Sequence, residues 1–135
     1  MTIAAWLFGA GGVLLVGIGA FFVFVRPPLL PEDLRFLGRS GRDIDQFVPQ
    51  LPRWLRRVFM VLGGHALTVG GLTIFVAATA VREGDIGAVV ALALGGATSI
   101  GLMAVVNFAI GSDFRWALLA TSGLWVAATA AAVWF

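Results

Sequence analysis

The chain's single histidine raises the first chemical question. His65 stands inside RRVFMVLGGHALTVGG, residues 56–71, an apolar run opened by two arginines. An imidazole titrates near neutral pH, ligates metals and both donates and accepts hydrogen bonds. Thr68 follows three residues later and shares its helical face. Asn107 stands near the end of a second apolar run, three residues before Ile110. At ~1.5 Å per residue, His65 lies roughly 10 Å inside the run that begins at Val58. Polar groups at such depth face the bundle interior or water and are functional-site hypotheses. His65, Thr68 and Asn107 are therefore the candidate polar pocket, with Arg57 or Asp113 at its edge.

Four kinds of chemistry fit His65. As structural glue it bonds Asn107, Thr68 or a backbone carbonyl, contributing ~0.6 kcal/mol per bond on average. As an axial ligand it holds a haem or chlorophyll-type pigment, with Gly63 and Gly64 leaving room for a flat macrocycle. Only Met60 or Met103 can then supply a second ligand from this chain. As a proton carrier it titrates in the right range, but no carboxylate lies in the apolar runs to work with it. The fourth use is catalysis on a membrane substrate, with arginines gripping a phosphate. No cofactor or metal is expected, and the pigment stands as the alternative.

Reaction motifs are missing. Without cysteine there is no disulfide, thiolate metal site or cysteine nucleophile. The sequence contains no phosphate-cradling P-loop, HExxH, GxSxG or CxxC. No catalytic residue is assigned, and enzymatic function is not expected.

The elements that must position these groups are plain. Of 135 residues, 60% are hydrophobic and 12% charged, where a soluble domain is about half apolar and a quarter charged. Residues 2–25, 58–81, 86–112 and 116–135 carry no charge. A bilayer crossing takes about 20 helical residues, so each block is one span. A membrane β-barrel would alternate polar and apolar residues, and these runs do not. The expected fold is an all-α integral membrane bundle of four transmembrane helices, at about 2–25, 58–81, 86–110 and 114–135, forming one membrane domain over 1–135. A short amphipathic interfacial helix is expected between helices 1 and 2, within a loop at 26–57.

Charge sets the expected orientation. Arg26, Arg35, Arg39, Arg42, Arg53, Arg56, Arg57 and Arg115 fall on one side and only Arg82 on the other. Positive charge marks the cytoplasmic side, so both termini face out and the loop faces in. The first run lacks a basic start and is longer than a signal peptide's apolar region, so it reads as a retained helix. The basic residues are all Arg, in an Ala/Gly/Val-rich background. That usage points to a GC-rich bacterial gene, and hence to an inner (plasma) membrane. Trp6 and Trp134 fall near the outer ends of spans, and Trp54 and Trp116 near inner ends, at headgroup level.

In the loop, Pro27-Pro28 ends span 1. Pro31 with Glu32 and Asp33 starts a short helix, Leu30, Leu34 and Leu37 share its face, and Gly38 and Gly41 stop it. A further turn is expected near Asp43–Val48, and Pro52 starts the helix that becomes span 2. Arg35, Arg39, Arg42, Arg53, Arg56 and Arg57 are the candidate contacts to anionic lipid or a partner. A net charge of +2 offers no basic face for nucleic acid. The tight Arg82–Asp85 and Gly111–Asp113 connections predict that spans 2, 3 and 4 are sequential neighbours, with span 1 tied on by the long loop. Small-xxx-small patterns at Ala66/Gly70, Gly95/Ser99 and Ala97/Gly101 predict close helix approach, and Phe21, Phe22 and Phe24 are expected to face lipid.

The expected function is a small non-catalytic accessory or scaffold subunit of a larger membrane complex, in contact with the bilayer and with other membrane subunits or further copies of itself. The alternative is a small-solute transporter, channel or sensor built on the pocket around His65 and Asn107.

Overall fold

The computed structural model describes residues 2–134. The described chain is helical throughout, with no strands. Four helices are long and apolar enough to cross a bilayer: α1 (Ile3–Val25), α4 (Leu51–Val81), α5 (Ile86–Ala109) and α6 (Arg115–Trp134). Two short helices, α2 (Pro31–Leu37) and α3 (Gly41–Phe47), lie between α1 and α4. Local chemistry sets the boundaries. The Thr2 hydroxyl accepts from the Ala5 N–H and starts α1, and Pro27-Pro28 prevents its continuation. Asp85 accepts from the Gly87 and Ala88 N–H groups and starts α5. The turns after α2, α4 and α5 each use a glycine at positive φ: Gly38, Gly84 and Gly111.

The helix order in space differs from the expected one. α1 is not a tethered outlier: it lies between α4 and α6 and packs along both. α5 packs on α6 and meets α4 only near their shared turn. Glycine explains this. A Cβ on Gly12 would stand 2.9 Å from the Gly70 carbonyl oxygen, and one on Gly19 2.8 Å from that of Gly63. The reverse pairs are as tight, at 2.8 Å each. Two antiparallel helices thus touch backbone to backbone at glycines seven residues apart on each strand of the seam, the close approach that small residues permit.

Trp125 fixes the other side. Only 3% exposed, it lies against Gly11 of α1 and Gly96 of α5, and a Cβ at either glycine would overlap its ring. Its indole N–H has no hydrogen-bond partner among the described residues. Trp6, Trp54, Trp116 and Trp134 are all exposed. Of the expected small-residue pairs, Ala66 and Gly70 are buried, while Gly95 has nothing within 4 Å.

The α2 helix turns an unexpected side inward. Glu32, 6% exposed, is its buried residue, while Leu30 and Leu34 are half-buried and Leu37 is 45% exposed. Capping orders both short helices: the Leu30 N–H donates to Asp33, and Ser40 and Asp43 exchange hydrogen bonds at the start of α3. The Ser40 backbone N–H, and then its hydroxyl, hold the Asp43 carboxyl below its ordinary 3.8.

Candidate ligand cavity

Because α4 and α5 part from their shared turn, they leave a space toward the arginine-rich end. This cavity measures about 1110 Å³ and is backed by α1 and α6. Its walls are mostly apolar, from residues such as Leu14, Ile18, Leu62, Val69, Leu102 and Val106. That volume is slightly above the roughly 300–1,000 Å³ of sites that take a small organic ligand. In α5 the helix widens to i→i+5 hydrogen bonding over Ala97–Gly101, where Thr98 and Ser99 reach the cavity. Such wide turns are frequent at functional sites.

His65 and Asn107 line this one cavity from opposite helices. They do not bond each other. His65 Nδ1 lies 2.8 Å from the Val61 carbonyl oxygen. A carbonyl only accepts, so Nδ1 carries the proton, and in that tautomer Nε2 is the acceptor. Asn107 Nδ2 donates to the Met103 carbonyl at 2.8 Å, leaving Oδ1 open. Thr68 lies outside the lining, exposed, and donates to the Gly64 carbonyl at 3.0 Å. The hydroxyls that do line the cavity have spent their protons the same way. Thr98 donates to Leu94 at 2.8 Å, Ser99 to Gly95 at 2.6 Å and Thr121 to Ala117 at 2.9 Å.

A charged floor closes the arginine-rich end. Arg26 and Asp33 pair at 2.9 Å, with side chains 6% and 19% exposed. The Arg26 guanidinium also donates to the Pro27 carbonyl at 2.9 Å and lies 3.6 Å from the centre of the Phe59 ring, a cation–π geometry. Glu32 accepts from the Ser112 hydroxyl at 2.8 Å and the Asp113 N–H at 2.9 Å. It forms no ion pair among the described residues. These bonds tie α2 under the turn between α5 and α6. Phe21 and Phe22, expected to face lipid, line the cavity instead, whereas Phe24 is 77% exposed.

Arg35 pairs with Asp113 at 2.9 Å, both well exposed, which is worth about 0–1 kcal/mol. Arg39, Arg42, Arg53, Arg56 and Arg57 are exposed and pair with no carboxylate among the described residues. Arg57 and Asp113 are not part of the lining. Of the two glycines expected to leave room for a flat macrocycle, Gly63 is closed off by Phe22, Val23 and Gly19 of α1, whereas Gly64 has open space beside it. No group of three His, Cys, Asp or Glu able to hold a metal occurs among the described residues.

Arg26, Glu32, Asp33, Phe22 and Phe59 were not among the expected pocket residues. Their meeting depends on the bend at Pro27-Pro28, which has no periodic signal. The one available hint was two acids one turn after a proline, next to a charge-free run. No protein-family model matches the chain, and neither a curated protein nor a solved structure matches it.

Proposed function

We propose that this chain is a multi-pass membrane protein that binds a small amphiphile in the bilayer leaflet on its arginine-rich side. The supporting observation is the cavity between α4 and α5, apolar along its walls and polar at His65, Asn107 and the Arg26–Asp33–Glu32 floor. An apolar body in the walls and a polar end against fixed groups is the usual division of labour in such sites. In this reading the arginine-rich connections face the cytoplasm, and α2 and α3 lie at the headgroup level with Phe36 and Phe47, both exposed, against lipid. The role is carriage or sensing of the bound molecule. Equilibrium binding of a fluorescent acyl-chain probe to reconstituted protein tests it, with His65→Ala, Asn107→Ala and the cavity-filling Val106→Trp as variants. Unchanged binding in all three removes the cavity from the function.

A second reading, an accessory subunit, draws on one face of α4. Gly64 and Gly71 have open space beside them, and exposed Thr68 lies between. This small-residue face suits another membrane helix. A stoichiometric partner that co-purifies in mild detergent and is lost in Gly64→Leu supports it, and a protein that purifies alone counts against it.

A further inference from the structure

We infer that the amphiphile this cavity takes carries a protonated amine, with Glu32 as its counter-charge. The inference rests on the binding role proposed above and specifies the ligand. The first argument is hydrogen-bond polarity. Thr98, Ser99 and Thr121 each give their hydroxyl proton to a carbonyl of their own helix. His65 gives its Nδ1 proton to Val61, and Asn107 gives one of its amide protons to Met103. Apart from the second Asn107 amide proton, these groups offer the cavity lone pairs. Thr121 is buried, Ser99 and Asn107 are half-buried, and His65 and Thr98 are exposed on the open side. Once a bound ligand excludes water from these groups, an acceptor left without a donor is costly, so the complementary ligand end is a donor. An ammonium brings up to three N–H groups and no acceptor.

The second argument is charge. Besides His65, the acidic and basic side chains lining the cavity are Arg26, Asp33 and Glu32. Arg26 and Asp33 neutralise each other at 2.9 Å, and Arg26 is further held by two proline carbonyls and the Phe59 ring. A ligand anion must break that set to gain a cation. Glu32 is 6% exposed and has only neutral donors, the Ser112 hydroxyl and the Asp113 N–H. Of the cations around this turn, Arg115 is bonded to the Ser112 carbonyl at 2.9 Å and Arg35 is paired with Asp113, and neither lines the cavity. A carboxylate has about four lone-pair positions, and two of those on Glu32 are filled. A buried carboxylate without a cation is unfavourable, and a ligand cation relieves it. The Phe21 and Phe114 rings, 6.4 Å apart, line the same end and suit an organic cation.

The test is a head-group series on the intact protein in phosphatidylcholine nanodiscs at neutral pH, with bound ligand counted by native mass spectrometry. Dodecylamine, dodecan-1-ol and dodecanoate share a chain and differ in charge. The expected order is amine first, about tenfold or more tighter than the alcohol, a difference of about 1.4 kcal/mol, with dodecanoate not retained. Glu32→Gln should abolish the preference for amine over alcohol, and Val106→Trp should abolish retention of both. Alcohol or dodecanoate binding as tightly as the amine overturns the inference and leaves the cavity's binding role standing. If no chain is retained above the Val106→Trp background, that role falls and the inference with it. Should Glu32→Gln fail to fold, the head-group series on the unaltered chain decides alone.

Discussion

The two sides of α4 are built in opposite ways. On one, Gly63 and Gly70 meet Gly19 and Gly12 of α1 so closely that no side chain fits between. On the other, His65, Ala66 and Val69 face a space that α5 does not fill. Both neighbours are apolar helices rich in small residues, so composition does not separate them. Direction does. Gly96 of α5 is turned to α6, where it accommodates the Trp125 ring, while Gly95, Thr98, Ser99 and Met103 are left facing the gap. A glycine closes an interface only where its partner also presents small residues at the matching height. Otherwise the helices diverge and a cavity remains.

The largest expected break comes from Trp125→Ala. Removing this buried ring from between Gly11 and Gly96 should cost about 3–5 kcal/mol, lowering thermal stability in detergent and letting α5 shift on α6. A variant as stable as the parent would show that Trp125 does not join the helices. Next, Gly70→Leu should cost about 1–3 kcal/mol by overpacking the seam, whereas Gly71→Leu, one residue on and in open space, should stay within about 0.5 kcal/mol. Equal losses in the two variants would erase the distinction between seam and outer face.

On the gap side, Glu32→Ala should cost about 1–3 kcal/mol, because the Ser112 hydroxyl and the Asp113 N–H lose their acceptor. Hydrogen exchange at the turn between α5 and α6 should rise with it, and unaltered exchange would contradict a tie through α2. Val106→Trp sharpens the comparison from within the space: amphiphile binding should fall strongly while thermal stability changes by less than about 0.5 kcal/mol. A large stability loss would mean that the gap is closed in the native protein.

The smallest effect lies outside both interfaces. The Asp43 carboxyl is held below its ordinary value by the Ser40 N–H and hydroxyl. A carboxyl depressed on folding stabilises the folded state above its unfolded value, and that contribution is lost as pH falls through the folded one. Protection of the α3 amides should therefore be constant near neutral pH and fall only on acidification below about 3.8. Ser40→Ala should remove that acid step, and an acid step that persists in the variant would place its origin elsewhere.

Much of the fold was legible because long charge-free apolar runs leave few options. A charge-free, non-alternating run of this length reads as a helix. The start at Pro31 and the stop at Gly38 follow from proline and glycine chemistry, whereas the caps at Thr2 and Asp85 were seen only in the structure. The site was legible only in part. His65 and Asn107 were marked by being polar in apolar runs, and both line the cavity. Thr68 satisfied the same spacing rule as His65 but falls outside it, because a shared helical face says nothing about which neighbour that face meets. Glu32 looked like a solvated first-turn acid until α2 folded under the bundle.

The amino-acid sequence by itself determined four apolar helices, their connections and the concentration of arginine at one end, since each follows from local composition and the length of a span. Which helices touch was left to the tertiary structure. The seam at Gly12, Gly19, Gly63 and Gly70 needs two helices in register, and the seat of Trp125 needs three. The cavity is defined by residues that fail to meet, and no segment carries that information alone, because a void depends on every wall around it.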